Sequence, residues 1–546
     1  MESITVTLVF LLAVVLSGVI TRALRFAVPA PLVQIALGAF IASVADFGVR
    51  LDPEVFFLLF LPPLLFYDGW RIPKEGLARD VGPVLHLALG LVVATVLGIG
   101  LLIHLMIPSM PLGVAFALAA VLSPTDPIAV NSIAARVPMP KRLLHILEGE
   151  SLLNDASGLV CMRFAVAAVM TGAFSLWNAF GTFLWVATGG LALGAGVTWA
   201  VVAAKGAATR RFGEETGSQV LISLLIPFAA YLAAEHLGAS GILAAVAAGI
   251  TMSFLEQSGR ALPATRVGRA AVWDTLGFAM NGIVFVLLGE QLPVIVAGAA
   301  EVVRATGHHD PIWLLAYVLA INAALAATRF LWAWVSLRLT LYRATRRGEA
   351  MRRPSWRLVA VTALAGARGA ITLAGVLTLP LALPDGAPFP ARDLAICLAA
   401  GVIIFSLIAA SLGLPFLLAG LELPPEPSAR REENVGRVAA AQAAIRAIER
   451  VLGEATEAGR DVDLYADAAS RLMEGYRARI ESRGKSGEEA DTLRRNEEIL
   501  RELRLVALRA ERAEIYRLGR TRRLSDELVR RLVRELDLGE ARESAA

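Results

Sequence analysis

Long apolar runs recur along most of the chain and constrain its fold more than any other feature. A helix needs about 20 apolar residues to cross the hydrocarbon core of a bilayer, and 13 stretches approach that length. Hydrophobic residues make up 56% of the chain and the mean hydropathy is +0.62, which excludes an ordinary soluble protein. The sequence therefore predicts an all-α polytopic membrane protein. The predicted spans are 4–21, 26–44, 55–70, 81–107, 112–135, 143–170, 176–204, 219–234, 238–255, 272–296, 311–337, 358–383 and 394–420.

Basic residues alternate between loops in the way that distinguishes cytoplasmic loops from outer ones. Alternate loops hold 21 Lys and Arg residues, whereas the loops between them hold 3. One missed or extra helix would invert every later loop, so this alternation supports about thirteen transmembrane helices. It predicts a multi-pass protein of the cell (inner) membrane, with its N-terminus outside and its C-terminal end in the cytoplasm.

The density of charge changes abruptly after Leu423. The first 423 residues carry 27 basic and 23 acidic residues, and the last 123 carry 25 of each. We therefore predict a transmembrane domain at 1–423 and a helical cytoplasmic tail at 424–546. The excess positive charge lies in the membrane domain, which indicates loops facing an anionic leaflet and no nucleic-acid partner.

The fifth span contains two prolines in its middle. Pro124 and Pro127 bracket Thr125 and Asp126, and each proline removes a backbone donor and clashes with a preceding carbonyl. A simple kink is one interpretation. The alternative is an interrupted helix whose freed carbonyls, together with the Asp126 carboxylate, bind a cation, and the buried carboxylate favours this second interpretation.

The twelfth span contains a second candidate interruption, where Gly366 and Gly369 lie on either side of Arg368. Glycine permits both unwinding and close approach of neighbouring chains. Spans five and twelve are seven apart and so run in opposite directions. Paired interrupted helices of opposite direction are typical of secondary transporters with inverted repeats.

The sixth span carries a stripe of polar side chains. Ser151 and Asp155 are four residues apart and share a helix face, and Glu150 and Asn154 form the neighbouring pair. Asp155 lies about 18 Å into the span, which places it near the middle of the membrane. Carboxylate and hydroxyl oxygens suit hard cations. Glu150 is the best candidate to neutralise Arg368, leaving Asp155 and Asp126 for the ion.

Three segments in this order resemble the bacterial branch of the sodium/proton exchanger (monovalent cation/proton antiporter) family: SPTDPIAV at 123–130, EGESLLNDASG at 148–158 and GARGAIT at 366–372. The likeness extends to LSDELVRRLVRELDL near the C-terminus. The resemblance implies a thirteen-helix homodimer. It implies that Na+ binds at Asp155, Asp126, Ser151 and Thr125, that Asp155 carries the ion and the proton, that Asn154 supports the site, and that Glu150 and Arg368 form a buried ion pair.

The expected function is exchange of Na+, or alternatively Li+ or K+, for H+. The expected partners are these ions, the lipid bilayer and a second copy of the chain. We expect electroneutral exchange that serves pH and cation homeostasis, no cofactor and no enzymatic activity. A cation channel, a membrane-embedded enzyme and a sensor that works through its tail are the alternatives.

Two further charged residues are less informative. Asp68 closes the third span beside a basic loop, which favours anchoring at the membrane interface over ion binding. Arg163 lies two turns after Asp155 and either tunes the site or forms a structural pair.

Overall fold

The protein forms two compact units, Met1–Leu423 and Pro424–Ala546. The structure, a computed structural model, describes residues 2–24, 28–44, 53–72, 74, 81–126, 130–131, 134, 139–172, 176–256, 262–304, 310, 312–346, 355–419, 427–459, 461–484 and 488–545. Within these residues the regular secondary structure is helical, apart from one isolated antiparallel bridge between Ala382 and Pro388. The prediction of an all-α fold is confirmed.

The helices of the first unit are predominantly apolar. They are α1 (Glu2–Ala23), α2 (Ala30–Val44), α3 (Pro53–Arg71), α4 (Val81–Met106), α5 (Leu112–Leu122), α6 (Lys141–Thr171), α7 (Leu176–Phe212), α8 (Thr216–His236), α9 (Gly241–Glu256), α10 (Pro263–Arg304), α11 (Ile312–Arg346), α12 (Trp356–Leu364), α13 (Ala370–Leu377) and α14 (Arg392–Leu418). Among the described residues, 8 helices are long and apolar enough to cross a membrane, and α2, α5 and α9 are shorter apolar helices. The protein is therefore a multi-pass membrane protein.

Small residues allow the helices to approach one another closely. A Cβ atom on Gly38 of α2 would overlap the carbonyl oxygen of Val286 in α10, and one on Gly289 of α10 would overlap that of Ile35. Because lipid chains are as apolar as leucine, membrane helices associate through close packing of this kind.

A π-helical segment, His86–Leu91, interrupts the regular hydrogen bonding of α4. Two of its carbonyl groups accept bonds from neighbouring helices. Ser157 Oγ of α6 donates to the Ala88 oxygen at 2.6 Å, and Trp332 Nε1 of α11 donates to the His86 oxygen at 3.1 Å. Such segments often occur beside functional sites, and this one packs directly on α6.

The two segments in which a helix was predicted to break both leave the helical conformation. Helix α5 ends at Leu122 and residues 123–126 are not helical; helix α12 ends at Leu364 and α13 begins at Ala370. Side chains from Ala117 to Leu122 are 0–1% exposed, so the end of α5 lies deep within the unit. Pro127 lies outside the described residues.

The described residues of the second unit form four helices, α15 (Pro427–Glu457), α16 (Val462–Gly484), α17 (Glu488–Arg520) and α18 (Asp526–Ala545). Helix α15 packs on α16, and α17 packs on α18. Exposed ion pairs join α17 to α18; Arg509 Nε, for example, lies 3.1 Å from Glu540 Oε1. This unit is rich in charge, as the composition of the tail predicts.

Candidate cation-binding site

The non-helical segment after α5 packs against the polar stripe of α6. Ser151 Oγ donates to the carbonyl oxygen of Thr125 at 2.5 Å, and Asn154 Nδ2 donates to Thr125 Oγ1 at 3.0 Å. Close contact is possible because residue 158 is a glycine: a Cβ atom there would lie 2.7 Å from Cγ of Pro124. The hydroxyl and amide groups of α6 thus hold the chain that carries Asp126.

The same segment also meets the break between α12 and α13. The amide of Asp126 donates to the carbonyl oxygen of Ala367 at 2.7 Å. Its carboxylate lies against Gly369, where any Cβ atom would overlap Oδ2 of Asp126. Because only glycine leaves this space, Gly369 allows the two non-helical segments to cross in contact.

Asp155 follows Ser151 by four residues on α6 and is buried. Its residue is 4% exposed, and its carboxylate makes no hydrogen bond to the described part of the chain. The carboxylates of Asp126, Glu150 and Asp68 all lie close enough to act on it electrostatically. A buried carboxylate normally has a partner, so one without any is a candidate for binding an ion that comes and goes.

Asn154 presents a second unsatisfied oxygen. Its Nδ2 donates to Thr125 Oγ1 and lies 3.5 Å from Glu150 Oε1, a carboxylate oxygen that can only accept a hydrogen bond. Its Oδ1 is buried and accepts no hydrogen bond from the described residues. The structure therefore brings together the five residues expected around the ion, Thr125, Asp126, Ser151, Asn154 and Asp155. Whether they bind a cation stays a prediction.

The buried ion pair is formed by a different arginine from the one predicted. Arg329 of α11 binds Glu150 through both terminal nitrogens, with Nη2 2.6 Å from Oε2, and its Nε donates to the carbonyl oxygen of Thr362 at 2.8 Å. The side chains of Arg329 and Glu150 are 3% and 1% exposed. The predicted pairing of Glu150 with Arg368 is therefore corrected to Glu150 with Arg329.

Arg368 instead binds carbonyl groups near the breaks. Its Nε donates to the oxygen of Leu122 at 2.9 Å, its Nη1 donates to the oxygen of Gly366, and its backbone amide donates to Ser406 Oγ at 3.0 Å. The last carbonyls of a helix lack partners within that helix. Arg368 thus donates a hydrogen bond to a carbonyl group at the end of α5 rather than to a carboxylate.

Two residues outside the predicted site have clear positions. Asp68 has an exposed side chain and acts electrostatically with Asp126 and Asp155, which places a further carboxylate beside the site. Its position in the sequence, at the end of an apolar run, does not indicate that it lies beside the site. Arg163 Nη2 lies 3.0 Å from Glu235 Oε1 of α8, so it forms an ion pair there.

These features are typical of a class of protein, the multi-pass helical membrane transporters, and the candidate ion site lies where two non-helical segments meet. A family model described as "Sodium/hydrogen exchanger, transmembrane" matches residues 9–420. The chain therefore belongs to the sodium/hydrogen exchanger family, which consists of secondary transporters. The resemblance identified from the three sequence segments is confirmed.

Bacterial relatives support the same assignment. The chain is 43% identical over 553 aligned residues to the uncharacterised Na(+)/H(+) exchanger YjcE of Escherichia coli K12, covering 99% of both chains. It is 41% identical over 423 residues to the sodium, potassium, lithium and rubidium/H(+) antiporter of Bacillus subtilis, a match that covers 76% of this chain and 62% of that protein.

One solved structure shows the same fold. The sodium proton antiporter MjNhaP1 of Methanocaldococcus jannaschii matches with a TM-score of 0.58 and 19% identity. The match covers 77% of this chain and 99% of that one.

Proposed function

We propose that this protein exchanges Na+, or alternatively Li+ or K+, for H+, and that the two substrates compete for the carboxylate of Asp155. The observation that carries the proposal is that Asp155 is buried beside two helix breaks and that its carboxylate makes no hydrogen bond to the described residues. A carboxylate in that position is neutral when it holds a proton and neutralised when it holds a cation, so it can be occupied by either but not by both.

The oxygen atoms around Asp155 suit a hard monovalent cation. We assign Asp126, Ser151 Oγ and the Thr125 carbonyl as its further ligands, with Asn154 holding the Thr125 segment in place. The relative from Bacillus subtilis is named for sodium, potassium, lithium and rubidium, which supports an alkali cation as the substrate. The exposed Asp68 would attract the cation towards the site.

The helix breaks give the site its backbone groups. We propose that α5 and the α12–α13 pair are the interrupted helices of an inverted repeat, as their opposite predicted directions indicate. Helix α13 begins one residue after Gly369, so the partial positive charge of its N-terminus lies near the Asp126 carboxylate.

Glu150 and Arg329 serve a structural role in this proposal. Their charges neutralise one another, so Glu150 is not available to bind the transported ion. With one titrating carboxylate at Asp155 and an amide at Asn154, each cycle moves one cation against one proton, and exchange is electroneutral.

The wider assembly follows the family and the loop charges. We propose a homodimer in the inner membrane with about thirteen transmembrane helices, an outer N-terminus and a cytoplasmic tail. Residues 1–423 would carry out transport in the service of pH and cation homeostasis, and no cofactor would be needed.

The test uses the purified full chain in liposomes with an acidic interior and a trapped pH dye. Adding NaCl, LiCl or KCl should alkalinise the interior of wild-type vesicles, and Asp155→Asn should abolish the response. Asp393→Asn removes a carboxylate that is 84% exposed and should respond like the wild type. Normal exchange by a folded Asp155→Asn variant would refute the proposal.

The same vesicles distinguish an exchanger from a channel. With K+ and valinomycin used to impose a potential, the rate of an electroneutral exchanger should stay constant. Cation flux that follows the potential without proton movement would identify a channel, and a several-fold change in a coupled rate would show that more than one proton moves per cation.

A further inference from the structure

A cavity of about 360 Å³ lies between α11, α12 and α14. Its walls are mainly apolar, with Ala326, Leu364 and Phe405 among the lining residues. At its rim Leu319 is 38% exposed, and Ala323 is exposed beside it. Because these rim residues are apolar and belong to a helix long enough to cross the membrane, hydrocarbon chains of the bilayer can reach the cavity.

Among the described residues that line the cavity, one is charged, Arg368. The residue is 6% exposed, and its Nε and Nη1 bind carbonyl oxygens. Its Nη2 makes no hydrogen bond within the described part of the chain. Because charged groups of buried residues usually have hydrogen-bond partners, Nη2 is the donor to which a ligand in the cavity would bind.

Within the described part of the chain, Arg368 also has no carboxylate of its own. The charged side chains that act on it are Arg329 and Glu150, and these two already pair with each other. The three groups together therefore carry one net positive charge. Such a charge at membrane depth is costly, and an anion beside it would lower that cost.

The cavity is separate from the cation site, although one segment borders both. Ala367 and Gly369 contact Asp126, whereas Gly366 and Arg368 line the cavity. Alternate residues of this non-helical segment thus face the two sites.

We propose that the cavity binds a fatty acid, with its carboxylate on Arg368 and its chain directed past the apolar walls towards Leu319. A carboxylate matches a guanidinium in charge and in hydrogen-bonding geometry. A single alkyl chain matches walls that are apolar apart from Asn322, Ser406 and Arg368. Ligand pockets commonly combine an apolar lining with a few polar groups of this kind. The volume leaves no room for the headgroup and two chains of a phospholipid.

The experiment uses the full chain in nanodiscs and a fatty acid that carries a photoreactive diazirine on its chain. Crosslinked peptides are identified by mass spectrometry. We expect labels on the cavity-facing parts of α11 and α14, and we expect dodecanoate to compete at concentrations at which dodecanol does not, because the alcohol lacks the charge. Equal competition by dodecanol would overturn the role of Arg368.

Two variants separate the cavity from the general membrane surface. Ala409→Leu fills the cavity and should lower labelling about tenfold or more, whereas Ala327→Leu adds the same atoms to an exposed position of α11 outside the lining and should leave it unchanged. Labelling that survives Ala409→Leu would refute the proposal. Arg368→Gln should weaken dodecanoate competition; if this variant does not fold, the Ala409→Leu result alone decides. None of these readouts depends on cation transport.

Discussion

Arginine–carboxylate pairs occur in both units of the protein, in opposite environments. Glu150 and Arg329 are 1% and 3% exposed and are joined by two hydrogen bonds, whereas in the tail Arg509 and Glu540 are 64% and 20% exposed. Removing one partner of a buried pair leaves a charge without compensation, but an exposed charge is solvated by water. We therefore expect the buried ion pair to contribute strongly to the stability of the first unit and the exposed pair to contribute little to that of the second.

The largest expected effect is the loss of one member of the buried pair. Glu150→Ala or Arg329→Ala should each lower the free energy of unfolding by about 3–5 kcal/mol, because the remaining charge stays buried. The double variant Glu150→Gln, Arg329→Gln should lose less than the sum of the single Gln variants. Thermal unfolding of the purified proteins measures this, and additive losses would contradict a direct pair.

A second test concerns the close packing at the candidate cation site. Gly369→Ala should lower exchange by about 100-fold, because its Cβ atom would displace the Asp126 carboxylate and small misplacements of reacting groups have large effects. Gly196→Ala is the matched control, since a Cβ atom there meets nothing within 4 Å. Equal exchange by the two variants would show that Asp126 need not occupy its observed position.

The smallest expected effect lies in the tail. Hydrogen bonds from Arg512 and Arg509 lower the pKa of Glu540 below its ordinary value. A lowered pKa in the folded state stabilises the fold above the ordinary pKa, and this contribution is lost as the pH falls through the lowered value. Glu540→Gln should therefore increase hydrogen exchange in α17 and α18 slightly at neutral pH.

This difference between wild type and Glu540→Gln should disappear in acid and shrink at high salt, since exposed charges are screened. A difference that persisted under both conditions would show that the tail pairs resemble the buried pair.

The sequence predicted much of the membrane unit because the underlying patterns are local. Apolar runs predict helices directly, and the residues around Asp126 and Arg368 predict where helices end. The four-residue spacing of Ser151 and Asp155 was enough to place both on one face. These features need no knowledge of which helices are neighbours.

The partner of Glu150 could not be predicted in this way. Arg329 is 179 residues away in the chain, and both it and Arg368 lie within apolar runs, so local sequence gives no basis for choosing between them. For Asp68, its position at the end of an apolar run and beside a basic loop indicated only the membrane interface. Its proximity to the site depends on how α3 packs against the rest of the unit, which periodicity does not encode.

If a cation and a proton compete for Asp155, adding the cation should release the proton. NaCl is added to the purified protein in a weakly buffered solution that contains a pH indicator, with choline chloride as the control for ionic strength. We expect release of about one proton per chain from wild type at a pH where the site is protonated, and none from a folded Asp155→Asn variant. Equal release from both proteins would contradict it.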